Sequence, residues 1–116
     1  VLNARRPAED GTPRPQLAPA VPQFAHLSAP GVPEIALEQV PFVMGSSPSC
    51  DLRLADPKAS PQHAEIDRTD EGWVLTDLGS ISGTYLNGER ISSPVLLRAG
   101  DELRMGDIVV TFETDD

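Results

Sequence analysis

Cysteine, histidine, aromatic and basic residues are all scarce in this chain of 116 residues, and each scarcity closes off a class of chemistry. A single cysteine, Cys50, cannot form an internal disulfide. It lies between Ser49 and Asp51, without the nearby cations that make a thiol reactive, and reads as a small packing residue. Two histidines, His26 and His63, are too few for a zinc site of the usual ligand type, so neither a metal nor a cofactor is expected. No apolar run approaches the ~20 residues that span a bilayer, and no signal-peptide pattern opens the chain. The first residue is Val1, not Met, which predicts a fragment of a larger protein, and reduced cysteine chemistry fits a cytoplasmic one.

Positive charge is the next shortage. Nine Lys and Arg stand against 18 Asp and Glu, for a net charge of -9. Residues 1–30 carry Arg5, Arg6 and Arg14 against Glu9 and Asp10, a balance of +1. Residues 31–116 carry 16 acids against 6 bases, a balance of -10. So acidic a surface excludes nucleic acid and an anionic membrane as partners, because phosphates require a basic footprint. The plainest role for the charge is to keep the domain in solution.

What the chain does contain divides it in two. Residues 1–30 hold six of the twelve prolines (Pro7, Pro13, Pro15, Pro19, Pro22 and Pro30) and show neither helical nor alternating apolar periodicity. Such a stretch buries too little apolar surface to offset its ordering entropy, which predicts a semi-extended linker or tail. Val21, Phe24 and Leu27 could alternatively anchor it on a partner, or the +1 tail could dock on its own acidic domain. Residues 31–114 read as the folded domain. Short apolar stretches alternate with turn signals, the pattern of an all-β sandwich of about 10–11 strands. Strands are expected at 34–38, 40–45, 51–54, 62–68, 72–77, 84–86, 89–91, 95–97, 101–105 and 108–113. Asn87-Gly88 is the sharpest local signal, because both residues tolerate the positive φ of a type I′ hairpin turn. The expected core comprises Ala64, Ile66, Trp73, Leu75, Ile108, Val110 and Phe112, with Ile35, Leu37, Phe42, Leu52, Leu54, Leu86, Leu96 and Leu103.

Four segments then stand in a fixed order: Gly45-Ser46, Ser60-Pro61-Gln62-His63, the run Gly79-Ser80-Ile81-Ser82-Gly83-Thr84-Tyr85-Leu86-Asn87-Gly88, and Gly100-Asp101. Each is weak alone. Together, over about residues 33–113, they resemble the forkhead-associated (FHA) domain, a phosphothreonine-peptide-binding family. The resemblance implies a two-sheet, mostly antiparallel sandwich with its binding loops clustered at one end.

The resemblance also implies roles. Gly45, His63, Gly83, Thr84, Asn87 and Gly88 correspond to positions that shape the loops. Ser46, Lys58, Ser60, Pro61, Gln62, Ile81 and Ser82 correspond to the peptide-binding rim. Here the chemistry departs from the family pattern. Ser46 stands in place of the phosphate-binding arginine, and Pro61 has neither charge nor N–H. Ile81 stands where many members have a hydroxyl, and Ser82 in place of an asparagine that bridges to the peptide backbone. Ser60 is the remaining phosphate-contacting residue, with Lys58 the cation of its loop.

The expected function is a non-catalytic protein-interaction module with weak or absent phosphothreonine recognition. One alternative is phosphothreonine binding through Ser60 and Lys58 on the partial rim. Another is a hydrolase-like use of Ser60 and His63 with Asp67 or Asp77, which lacks any nucleophile-elbow motif.

Overall fold

The computed structural model describes residues 21–30 and 32–114, and most of the proline-rich tail lies outside the described residues. Eleven strands form two sheets within them. In chain order they are β1 (Ala25–Ala29), β2 (Val32–Ala36), β3 (Phe42–Gly45), β4 (Leu52–Arg53), β5 (Ala64–Thr69), β6 (Gly72–Asp77), β7 (Thr84–Leu86), β8 (Glu89–Arg90), β9 (Val95–Leu96), β10 (Asp101–Met105) and β11 (Ile108–Thr114). One sheet runs β9-β6-β5-β3-β4 and the other β2-β1-β11-β10-β7-β8. All pairings are antiparallel except β3 with β4, where Gly45 lies opposite Arg53. No helix among these residues is long and apolar enough to cross a membrane.

Period-two alternation builds the core between the sheets. Ala64 and Ile66 of β5 and Trp73 and Leu75 of β6 face inward from one sheet; Leu103, Met105, Val110 and Phe112 face them from the other. Trp73 and Phe112 meet across the gap with ring centroids 6.0 Å apart. Asn87 (φ 51°) and Gly88 (φ 89°) both take positive φ, as the tight β7–β8 hairpin demands.

Two expectations need correction. Residues 25–29, assigned above to the tail, are a strand within the second sheet, paired with both β11 and β2. Leu27, proposed as an anchor on a partner, is fully buried in the chain's own core, and Val21 packs against that core. The pairing partners decide this strand, since its own sequence, AHLSA, carries a single large apolar residue. Leu96 is exposed and Leu97 is buried instead. Leu97 donates its N–H to Trp73 O at 2.8 Å, which continues the ladder one residue past β9 and turns Leu97 inward.

Candidate functional site

Three loops meet at one end of the sandwich: residues 46–51 after β3, residues 54–63 before β5, and residues 78–83 between β6 and β7. Main-chain bonds join the first two. Ser46 N–H donates to Ser60 O at 2.9 Å and Ser47 N–H to Pro61 O at 3.2 Å. The Cys50 thiol also donates to Pro61 O, at 3.1 Å. Gly45 makes this approach possible: a Cβ there would lie 2.1 Å from Pro61 O.

His63 fastens the second loop to the third. It is fully buried. Its Nδ1 accepts the Ser60 N–H at 3.1 Å, so Nε2 carries the proton and donates to Gly83 O at 2.9 Å. Both ring nitrogens are therefore engaged by the main chain. The Ser60 hydroxyl makes no bond to the imidazole; it accepts the Ile81 N–H at 3.1 Å instead. The nucleophile–base hydrogen bond that a hydrolase reading requires is replaced by two structural ones.

The third loop is organised by Asp77, at the end of β6. Its carboxylate accepts Gly79 N–H at 3.1 Å, Ser80 N–H at 3.2 Å, the Ser80 hydroxyl, and the Thr84 hydroxyl at 2.7 Å. Ser80 Oγ in turn accepts Gly83 N–H at 3.0 Å. Partial burial is the largest single influence on the Asp77 carboxyl and pushes its pKa up. The hydrogen bonds from Ser80, Thr84 and Gly79 together outweigh it and hold the pKa below the ordinary value.

The rim residues themselves are occupied in unexpected ways. Ser82 Oγ donates to Lys58 O at 2.8 Å, so its hydroxyl braces the neighbouring loop. The Lys58 ammonium pairs with Asp107 at 3.2 Å. Asp56 accepts Lys58 N–H at 2.7 Å and Asp107 N–H at 3.0 Å, and these bonds lower its pKa. Pro61 and Gln62 are exposed, and Ile81 projects from the third loop with 89% of its surface exposed. Asn87 and Gly88 lie away from the rim. Asn87 ties the hairpin to β10 by accepting Glu102 N–H at 2.9 Å and donating to Asp101 Oδ1 at 3.1 Å.

Thus Gly45, Ser46, Lys58, Ser60, Pro61, His63, Ile81, Ser82, Gly83 and Thr84 form one connected set of loops. Asp77 and Ser80 belong to it as well and were not singled out for this role from sequence. A strand ending in Asp, followed by Gly-Ser two residues on, is the Asx-turn signal that marks them. Arg53 was missed because its contact arises from parallel pairing: its Nε donates to Ser46 O at 3.1 Å.

The loops coincide with the match to known proteins. The FHA domain family model matches residues 42–106. An oxoglutarate dehydrogenase inhibitor of Corynebacterium diphtheriae is 37% identical over 76 residues, which is 66% of this chain and 52% of the relative. The glycogen accumulation regulator GarA of Mycobacterium tuberculosis is 36% identical over 78 residues, 67% of this chain and 48% of the relative. The chain thus spans about half the length of the curated relatives it matches. Among solved structures, Mycobacterium tuberculosis EmbR in complex with a low-affinity phosphopeptide superposes with a TM-score of 0.75 and 30% identity, over 78% of this chain and 24% of that one. With both sheets, the joined loops and the matched segment in agreement, this chain belongs to the FHA domain family.

Proposed function

We propose that the domain is a non-catalytic protein-interaction module of a larger cytoplasmic protein. It holds a peptide segment of a partner protein across the rim, and phosphothreonine adds little to that grip. The observation that carries this reading is the state of the third loop. Ile81 offers an exposed apolar side chain at its tip, while Ser82 turns its hydroxyl onto Lys58 O. The Lys58 ammonium is likewise taken up by Asp107. A hydrogen bond to a charged group contributes roughly 1.5–3 kcal/mol net. A rim lacking an arginine at position 46 should then bind a phosphoryl group about 10- to 100-fold more weakly than one that has it. Relatives named as an inhibitor and as a regulator support a regulatory binding role over catalysis. The proposed occupant is a segment of a separate protein. The described end of the tail is fastened away from the rim, where Arg68 and the Trp73 indole donate to Val21 O and Pro22 O.

The test is a titration with matched peptide libraries centred on threonine or phosphothreonine. The reading predicts that phosphorylation improves binding by less than about tenfold. Micromolar binding that vanishes with the unphosphorylated library would overturn it.

A further inference from the structure

Two arginines border the rim at positions where the sequence pattern does not look for them. Arg53, exposed on β4, reaches back to the end of β3, where its Nε donates to Ser46 O at 3.1 Å. Ser46 is the same residue whose N–H donates to Ser60 O at 2.9 Å, so it links the guanidinium directly to the Ser60 loop. On the other side, the Arg90 side chain lies flat on Gly83. A Cβ at Gly83 would meet Arg90 Nε at 2.7 Å and Cζ at 3.0 Å. Among the described residues neither guanidinium has a carboxylate partner. That is notable in a segment with 16 acids and 6 bases. Of the other cations, Lys58 is committed to Asp107, Arg68 to the carbonyls of Val21 and Pro22, and Arg104 to the face of Tyr85 at 4.1 Å.

The chemistry of Arg53 suits an anion. One nitrogen is anchored on a carbonyl, which fixes the plane of the group. The two terminal nitrogens make no bond to any described residue and keep the fork geometry that matches two oxygens.

We propose that Arg53 takes over anion binding at this rim, assisted from the opposite side by Arg90, and that its ligand is an oxyanion on the bound peptide, phosphoryl or carboxylate. The proposal rests on the peptide-binding reading above and names the chemistry of that peptide. The guanidinium arrives from the neighbouring strand instead of from position 46, which makes the grip weaker but does not abolish it.

Two measurements test it. First, inorganic phosphate is titrated into isotope-labelled protein while the Arg53 Nε–H and the Ser46 and Ser60 amide resonances are followed. All three should shift in the wild type, and the Ser46 and Ser60 amides should stay still in Arg53→Ala. Second, peptide libraries centred on threonine, phosphothreonine or glutamate are compared. The wild type should prefer an anionic centre by about three- to tenfold. Arg53→Ala should bring that preference to about one, and Arg90→Ala should reduce it in part. Arg53→Lys, which keeps charge but loses the fork, should fall between, and unchanged melting temperatures would show that the variants fold. Response to phosphothreonine alone identifies a phosphoryl ligand, and response to both identifies any oxyanion. A wild type with no phosphate response and equal affinity for all libraries would overturn the proposal while leaving the interaction module standing. An anionic preference unchanged by Arg53→Ala would overturn it as well. A preference above about a hundredfold that Arg53→Ala removes would instead support Arg53 and refute weak recognition.

Discussion

Gly45 shows how a single absent side chain sets the rim. With Pro61 O lying 2.1 Å from where a Cβ would be, any substitution must push the Ser60–Pro61 loop away from β3. Gly45→Ala should therefore lower stability by about 2 kcal/mol or more, read from denaturant melts, and should loosen the Ser46–Ser60 bond. Asp77 acts at the same scale through charge. Its folded pKa lies below the ordinary carboxylate value, so its contribution is present in full above the unfolded pKa of about 3.9. That contribution is lost as pH falls through the folded value. Asp77→Asn should be about 2 kcal/mol less stable near pH 7, and the gap between variant and wild type should close as pH drops below about 4. A gap that stays constant across that range would show that the carboxylate charge is not what holds the loop.

At the scale of elements, β1 joins the body of the sheet instead of the tail. It pairs with β11 on one side and β2 on the other, and Leu27 fills the core from it. A chain starting at Val32 should fail to give the dispersed amide spectrum of a folded sandwich, because it uncovers β11 and opens the core. Leu27→Ala alone should cost about 2–5 kcal/mol in chemical denaturation. Elements whose identity lies in their own residues were legible from sequence. The alternation of β5 and β11 and the Asn87-Gly88 turn each carry a local physical requirement that those residue types meet. Elements whose identity lies in a partner were not. β1 depends on β11, the inward turn of Leu97 depends on Trp73 O, and the position of Arg53 depends on a parallel pairing seven residues from Ser46. The Asp77 network is of this second kind too, since its acceptors matter only once Thr84 and Gly83 are brought beside them.

For the whole molecule, the proposed reading separates scaffold from ligand chemistry. The sandwich, the His63 bridge from Ser60 N–H to Gly83 O, and the glycine that lets two loops touch are all in place. The groups facing outward differ in kind: an exposed isoleucine, a serine braced on a carbonyl, a lysine paired to Asp107, and an arginine from the adjacent strand. A rigid scaffold of this kind holds new side chains in place without an ordering cost at binding, so restoring them should restore the grip. The most direct test is the double variant Ser46→Arg with Ser82→Asn, titrated with a phosphothreonine-centred peptide library beside the wild type. An intact scaffold predicts a gain in phosphothreonine affinity of about 10- to 100-fold, with the threonine library unchanged. A folded double variant that binds phosphothreonine no better than the wild type would contradict it, because the geometry of the loops would then differ from that of a phosphate-binding rim.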